Sequence, residues 1–160
     1  MNPMNRREFV AAVACAACLC GLGDAANLLA DDATTAPATA PTTLDVGPKS
    51  NYTADGITTT WMKPPNRVAV IRHDGKIYAC TTICTHKGGT LNEGADGNSF
   101  KCPNHGAMFD IEGNVTHKPA RRPLIRYAVS VDSSGHVIVD KTTSFTAAQW
   151  SDPASFVKID

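Results

Sequence analysis

Short β-branched runs separated by turn residues recur along the chain from about residue 44. The runs are ITTTW (57–61), RVAVIR (67–72), KIYACTT (76–82), IRYAVSV (125–131) and HVIVD (136–140). Asp-Gly and Ser-Gly pairs between neighbouring runs supply the positive φ that tight hairpins need. Several short strands at this spacing predict an all-β fold, built as an antiparallel β-sandwich or small barrel. A sustained helical period does not appear, although a brief helical turn is compatible with residues 146–150.

The first 30 residues have the layout of an export signal. Arg6-Arg7 precede an apolar run from Phe9 to Leu22, and Gly23-Asp24 end that run. The stretch NRREFV resembles the twin-arginine signal, which carries folded proteins across the cytoplasmic membrane. We therefore expect residues 1–30 to be a signal peptide and the protein to be exported, to the periplasm. An uncleaved membrane anchor is the alternative, and the membrane would then be met only through this segment.

Composition divides the remaining chain and excludes one class of partner. Residues 31–43, DDATTAPATAPTT, lack apolar periodicity and predict a flexible Ala/Thr/Pro linker. Residues 44–160 are then long enough for one domain. The whole chain has 15 Lys and Arg against 15 Asp and Glu, a formal net charge of zero. This balance gives no case for a nucleic-acid partner.

Two short motifs place metal-binding residue types together. Cys84-x-His86 stands in CTHKGGTL, and Cys102-x-x-His105 stands in CPNHGAMFD. Each histidine is followed closely by glycine, which lets the backbone turn beside a bulky group. Two thiolates and two imidazoles could hold zinc, although zinc loops usually separate their ligands by two to four residues. C-x-H is therefore an unusual zinc spacing.

The two motifs together resemble the Rieske iron–sulfur protein family. The resemblance extends over roughly residues 65–140 and includes GKIYA, GGTL, HGAMFD and KPARRPL. It implies a two-loop subdomain that binds one [2Fe-2S] cluster per chain, in which histidines replace cysteines on one iron. By this resemblance Cys84 and Cys102 bind one iron, and His86 and His105 bind the other. It also implies that a loop containing Pro119 covers the cluster.

Four further positions bear on redox tuning, by comparison with family members that oxidise quinols. Those members brace the cluster with a disulfide at positions that hold Gly89 and Asn104 here. They also place hydroxyl donors near the cluster sulfurs, where this chain has Ala107 and Phe109. Donors stabilise the electron added on reduction, so their loss lowers the potential. We expect a potential in the lower part of the Rieske range, below about 0 mV, as in Rieske ferredoxins.

These observations predict an exported one-electron carrier with no catalytic residues and no substrate site of its own. Its partner would be another redox protein, either a cytochrome or a membrane complex. The alternative is the iron–sulfur subunit of a membrane quinol–cytochrome c oxidoreductase-like complex, and the chain length argues against a Rieske oxygenase. Cys80 lies within a strand and is expected in the core. A local basic cluster is either a solvated loop or a docking rim for an acidic partner, and comprises Lys118, Arg121, Arg122 and Arg126.

Overall fold

The computed structural model describes residues 42–159, and these form two antiparallel sheets. The larger sheet has the strand order β1-β10-β9-β4-β3-β2, with β11 pairing beside β4, and the smaller has the order β5-β6-β7-β8. The expected all-β fold is confirmed. The strands are β1 Thr43–Pro48, β2 Gly56–Thr58, β3 Val68–His73, β4 Lys76–Thr81, β5 Asn92–Glu93, β6 Ser99–Lys101, β7 Met108–Asp110, β8 Val115–His117, β9 Arg126–Val131, β10 His136–Phe145 and β11 Val157–Lys158.

The hairpins of the larger sheet form where the sequence predicts them. Asp74 and Gly75 join β3 to β4 with φ values of 50° and 67°, as a two-residue turn of two left-handed residues requires. The turn between β9 and β10 is held by Asp132, whose carboxylate accepts hydrogen bonds from the backbone N–H groups of Ser134 and His136 at 2.8 and 2.9 Å. Both turns lie at the end of the sheet opposite the Cys-His motifs.

The larger sheet is buried on both faces. In β3 the residues from Val68 to Ile71 are all fully buried, although successive side chains point to opposite faces. One face packs Ala69 and Ile71 against the smaller sheet, in a core with Phe100 and Phe109. The other face has a second core, made of Val46, Tyr52, Val68, Val70, Ile77, Ala79, Val129, Val137 and Val139. Short apolar runs in the sequence therefore mark strands covered on both sides.

Several elements differ from the sequence-based expectation. Strand β1 begins at Thr43, the last residue assigned to the linker, and its polar sequence TLDVGP did not predict a strand. The strands of the smaller sheet have only two or three residues, too few for a period to be visible. The brief helical turn is present as a 3-10 helix at Ala147–Gln149, and two others lie at Lys49–Asn51 and Pro153–Ser155.

Burial in the core corrects one member of the basic cluster. Arg126 is only 5% exposed, and its guanidinium carbon lies 3.8 Å from the Tyr78 ring centre and 4.1 Å from that of Trp150. It also donates to the Glu112 carbonyl at 3.0 Å. Its assignment to a solvated basic cluster was therefore wrong. By contrast, Cys80 is fully buried as expected, and burial raises the pKa of its thiol to about 12.

The predicted signal peptide and most of the predicted linker lie outside the described residues. Among residues 42–159, no helix has the length and apolar character needed to cross a membrane.

Candidate metal centre

The first Cys-His motif lies in a loop fixed by its own backbone. The N–H of Cys84 donates to the Gly89 carbonyl at 2.8 Å, and the N–H of Gly88 donates back to the Cys84 carbonyl at 2.9 Å. Gly88 has φ of 71°, which favours glycine. An isolated β-bridge between Ile83 and Thr90 closes the loop. The loop leaves the end of β4, so the larger sheet positions its first residue.

The second motif lies in a loop with the same hydrogen-bond pattern. The N–H of Cys102 donates to the Ala107 carbonyl at 2.8 Å, and the N–H of Gly106 donates to the Cys102 carbonyl at 3.0 Å. Gly106 has φ of 73°, and Lys101 pairs with Met108 at the base of the loop. Each frame therefore begins at a cysteine and has a left-handed glycine four residues later. The histidine is offset by one place between the two frames.

The two loops bring all four predicted ligand residues together as two pairs. Cys84 and Cys102 are each 2% exposed and free of disulfides, and the Cys102 thiol is near enough to raise the pKa of the Cys84 thiol. The His86 and His105 rings meet edge to face, with centroids 4.9 Å apart and planes at 88°. The thiols thus point inward, whereas His86 is half-buried and His105 is exposed.

The electrostatics of the two pairs favour a bound cation. Burial raises the pKa of the Cys84 thiol, backbone N–H groups of His86 and Lys87 lower it, and the neighbouring Cys102 thiol raises it again. Positive charge beside the Cys84 thiol would therefore favour its ionised, metal-binding form. Burial lowers the pKa of His86, as do His105 and the charges of Lys87 and Arg121. The neutral imidazole is the form that binds metal.

One unpartnered atom also fits a metal-bound group. Nδ1 of His86 is buried and has no hydrogen-bond partner within the described part of the chain. A buried nitrogen of this kind is destabilising unless something binds it. A ligand set of two thiols and two imidazoles, arranged pairwise, fits a two-iron cluster in which each iron takes one pair. Among residues 42–159, no three His, Cys, Asp or Glu side chains are grouped so as to hold one metal ion.

Gly89 and Asn104 occupy the positions where quinol-oxidising family members have a disulfide. These two residues face each other across the two loops. A Cβ atom added to Gly89 would lie 2.7 Å from Nδ2 and 3.2 Å from Cγ of Asn104, and 3.4 Å from Sγ of Cys102. The Asn104 side chain therefore takes the space that a larger residue at position 89 would need. The two loops therefore approach each other closely at these positions.

Ala107 and Phe109 occupy the positions where quinol-oxidising family members have hydroxyl donors. Both residues lie in the core next to the second loop. Ala107 and Phe109 are fully buried, and Phe109 pairs with Phe100 across the smaller sheet. Neither side chain has a polar atom. The backbone N–H groups of His86 and Lys87 lower the pKa of the Cys84 thiol, so the backbone stabilises charge on this sulfur.

A third segment, residues 117–125, covers the first ligand loop. Pro119, half-buried, lies beside His86 in a cavity of about 310 Å³ that is also lined by Thr85, Arg121 and Arg122. The hydroxyl of Thr85 donates to the Arg122 carbonyl at 2.6 Å. This hydrogen bond links the covering segment to the residue before His86. The sequence did not identify Thr85 as important, because a threonine inside a ligand motif carries no distinctive pattern.

Comparison with known families identifies the class of this centre. A family model described as the Rieske [2Fe-2S] domain matches residues 39–131, more than half of the chain. The chain therefore belongs to the Rieske [2Fe-2S] domain family, as the two motifs indicated. One [2Fe-2S] cluster per chain follows from this membership.

Curated relatives include subunits of cytochrome complexes. The cytochrome b6-f complex iron-sulfur subunit of Chlorobaculum tepidum is 30% identical over 96 residues, which cover 60% of this chain and 52% of that protein. The chloroplastic cytochrome b6-f complex iron-sulfur subunit of Bigelowiella natans is 35% identical over 77 residues, covering 46% and 30%. The chain thus spans about half, or less, of the length of these relatives.

Solved structures with similarity to the chain come from two settings. A cyanobacterial plasma membrane Rieske protein from Synechocystis PCC 6803 is 33% identical, with a TM-score of 0.48 and coverage of 60% of this chain and 97% of that one. A chain from the complex of reduced oxygenase and oxidized ferredoxin in carbazole 1,9a-dioxygenase is 29% identical, with a TM-score of 0.49 and coverage of 65% and 97%.

Proposed function

We propose that this protein is an exported one-electron carrier that uses a Rieske cluster of the low-potential type. The observation that supports it best is the pairing of two buried thiols and two outer imidazoles on matched loops. In this proposal Cys84 and Cys102 hold one iron, and His86 and His105 hold the other. The bound cluster supplies reversible one-electron chemistry.

The residues of the chain have distinct tasks in this function. The thiols lie inside, where burial excludes water, and backbone N–H groups stabilise the charge on the Cys84 sulfur. The two imidazoles form the outer side of the site, so a partner that contacts His105 comes close to the bound group. Gly89 leaves room for the Asn104 side chain between the loops, and Pro119 covers the His86 side.

Iron and sulfide analysis of purified protein tests the ligand assignment. We expect two irons and two acid-labile sulfides per chain, with a rhombic Rieske-type paramagnetic spectrum after reduction. Replacing Cys84 or Cys102 by Ala should abolish both, because binding the cluster also stabilises the loops. Cys80→Ala is the matched control and should keep the cluster, since Cys80 lies in the core of β4. Stoichiometric zinc in protein from an iron-competent host would contradict the proposal.

The low-potential assignment rests on side chains that cannot donate. Ala107 and Phe109 are buried without hydroxyls, and Gly89 and Asn104 cannot form a disulfide. Backbone donors at the Cys84 sulfur raise the potential, but a backbone alone supplies fewer donors than a backbone with two added hydroxyls. A midpoint below about 0 mV is therefore expected.

Export is proposed from the N-terminal sequence. Changing Arg6-Arg7 to Lys-Lys should leave full-length precursor in the cytoplasm, if the twin-arginine route is used. The pair Arg121-Arg122 offers a matched control within the same chain, and its change to Lys-Lys should not alter export. Normal appearance of the mature chain outside the cytoplasmic membrane in the Arg6-Arg7 variant would reject this route.

The curated relatives favour a second candidate function, that of an iron–sulfur subunit in a membrane cytochrome complex. Its N-terminal segment would then remain as an anchor. Mass spectrometry of the N-terminus and the haem content of gently solubilised membranes separate the two candidates. A cleaved, freely soluble chain supports the carrier, whereas an intact chain that co-purifies with b-type haem supports the subunit.

A further inference from the structure

The three segments around the candidate ligands have a one-sided charge. These segments, residues 82–91, 102–107 and 117–125, are called the tip below. They contain no Asp or Glu, although the whole chain has 15 acidic and 15 basic residues. The tip has four exposed cations, namely Lys87, Lys118, Arg121 and Arg122. The tip is therefore a local positive region on a chain with no net charge.

The four cations of the tip form no ion pair with the described residues of the domain. The ion pairs found in residues 42–159 involve Arg72 or histidines with Asp45 and Asp55, and none of them includes a cation of the tip. Arg126, which stands close in sequence, differs because it is buried and bonded to Glu112. Exposed cations without a counter-charge attract a negatively charged surface.

An apolar groove adjoins these cations. Its volume is about 410 Å³, and Pro123, Leu124, Ile125, Ala147 and Ala148 form most of its wall. Ile125 is 40% exposed, which is unusual for a large apolar side chain in this domain. An exposed apolar surface rimmed by charge is typical of a protein interaction site.

The groove and the histidine cavity are neighbours with a common wall. Thr85 and Arg122 line both of them, and the hydrogen bond from the Thr85 hydroxyl to the Arg122 carbonyl at 2.6 Å holds this wall in place. A side chain seated in the groove is therefore separated from the His86 cavity by the wall that Thr85 and Arg122 form. An apolar groove with Arg122 in its wall, next to a cavity lined by Arg121 and Arg122, matches the usual layout of an interface with an apolar centre and a polar rim.

We propose that the tip is a docking surface for an acidic protein partner. The partner places carboxylates on the four cations and one apolar side chain in the groove next to the His86 cavity. This inference rests on the proposed function as an electron carrier and specifies the chemistry of its partner. An acidic protein is favoured over a small anion because the cations are spread over two of the three segments and Arg122 lines the apolar groove.

Electron transfer to one cytochrome in two charge forms tests the proposal. The acceptors are a basic c-type cytochrome and the same cytochrome after succinylation, which replaces lysine cations by carboxylates. In each reaction the reduced chain loses one electron and ferric haem gains it to become ferrous haem. Stopped-flow absorbance at several salt concentrations gives the second-order rate constants. We expect the succinylated form to react about tenfold faster at low salt, and this preference to disappear as salt rises.

Charge-reversal variants assign the effect to the tip. Arg121→Glu with Arg122→Glu should remove or invert the preference for the acidic cytochrome. The matched control, Lys49→Glu with Lys158→Glu, changes net charge equally but alters the opposite end of the larger sheet, and should keep the preference. Lys49 contacts the turn at Gly135 and Lys158 pairs with Lys76. The ratio of the two rate constants is compared between variants, so a change in midpoint potential cancels.

The groove has a separate test. Ala147→Trp should fill it and slow transfer to the acidic cytochrome several-fold, with the salt dependence unchanged because no charge is altered. An unchanged rate constant would overturn the role of the groove.

Three outcomes overturn the docking proposal and remain distinct from failure of the carrier function. Equal rates with both cytochromes, or equal effects of both charge-reversal pairs, would show transfer without docking at the tip. Electron transfer rates that do not depend on the tip cations, together with salt-sensitive binding of the chain to vesicles of anionic phospholipid, would assign the tip to a membrane surface. Absence of electron transfer to either cytochrome at every salt concentration would instead reject the carrier function.

Discussion

Replacing Arg126 by Met is expected to destabilise the domain strongly, although Arg126 lies in a stretch of sequence where every other cation is exposed. Its guanidinium lies between the faces of Tyr78 and Trp150 and donates to the Glu112 carbonyl. Arg126 thereby joins β9 of the larger sheet to the turn after β7 and to the C-terminal segment. Methionine keeps most of the length and the apolar stem but removes all three interactions.

The distances allow the magnitude to be worked out. Ring contacts at 3.8 and 4.1 Å on a partly desolvated cation contribute about 1–2 kcal/mol each. The hydrogen bond from the charged group, at 3.0 Å, contributes about 1.5–3 kcal/mol. Desolvation of the guanidinium opposes these contributions. Its Nε is buried without a hydrogen-bond partner in the described chain, and this desolvation costs about 1–3 kcal/mol. A net loss of about 2–4 kcal/mol remains for Arg126→Met.

Thermal unfolding followed by far-ultraviolet circular dichroism measures this loss. For a domain of this size the midpoint should fall on the order of 10 °C. Arg126→Lys keeps the charge but lacks the planar fork, so it should recover less than half of the difference. An Arg126→Met midpoint within about 2 °C of wild type would show that desolvation cancels the three contacts, and would refute the reasoning.

Two further predictions concern potential and pH. Ala107→Ser with Phe109→Tyr should raise the midpoint potential in protein-film voltammetry, because each hydroxyl that donates to the reduced cluster favours reduction. An unchanged potential would show that the hydroxyls do not reach the cluster. A wild-type midpoint potential above about +200 mV would reject the low-potential type. The Asp45 carboxylate accepts a hydrogen bond from Nδ1 of His136 at 2.9 Å, which raises the pKa of His136 and lowers that of Asp45. Because its pKa is raised in the folded state, His136 stabilises the domain fully below about pH 6.5, and this stabilisation is lost as the pH rises through the folded-state pKa. Because its pKa is lowered in the folded state, Asp45 stabilises the domain above about pH 4, and this stabilisation is lost as the pH falls through the folded-state pKa. The difference in unfolding midpoint between wild type and His136→Gln should therefore be largest near pH 5 and shrink by pH 9, and a difference that is constant over this range would contradict the pairing.

The sequence predicted the strands whose apolar residues are dense. Runs such as RVAVIR are buried on both faces and therefore stand out without alternation. Strand β1 is an edge strand with few apolar residues, and β5 to β8 are too short to show a period. The position of β1 depends on pairing with the distant strand β10, which composition does not encode. Strands β5 to β8 pair with their neighbours in the chain, but runs this short carry no recognisable pattern.

The candidate ligands were predictable because two motifs of fixed spacing carry them. Their surroundings were not. The contact between Gly89 and Asn104 joins residues far apart in sequence, and the bond from Thr85 to the Arg122 carbonyl involves a backbone atom. For Arg126 the sequence-based prediction was wrong, because the neighbouring cations in the sequence suggested a solvated surface. Its burial depends on Tyr78 and Trp150, which reach it only in the folded chain.

The repeated loop frame makes the ligand unit portable. From the cysteine to the residue five places later, the geometry is set by two backbone hydrogen bonds and one left-handed glycine. The intervening side chains take no part in those bonds, which is why one loop accepts histidine where the other has asparagine. A segment such as CPNHGA is therefore expected to keep its turn when grafted onto the end of an unrelated antiparallel hairpin, whereas an inward thiol also needs a core around it. Two grafts facing each other would make a minimal scaffold for designed redox proteins.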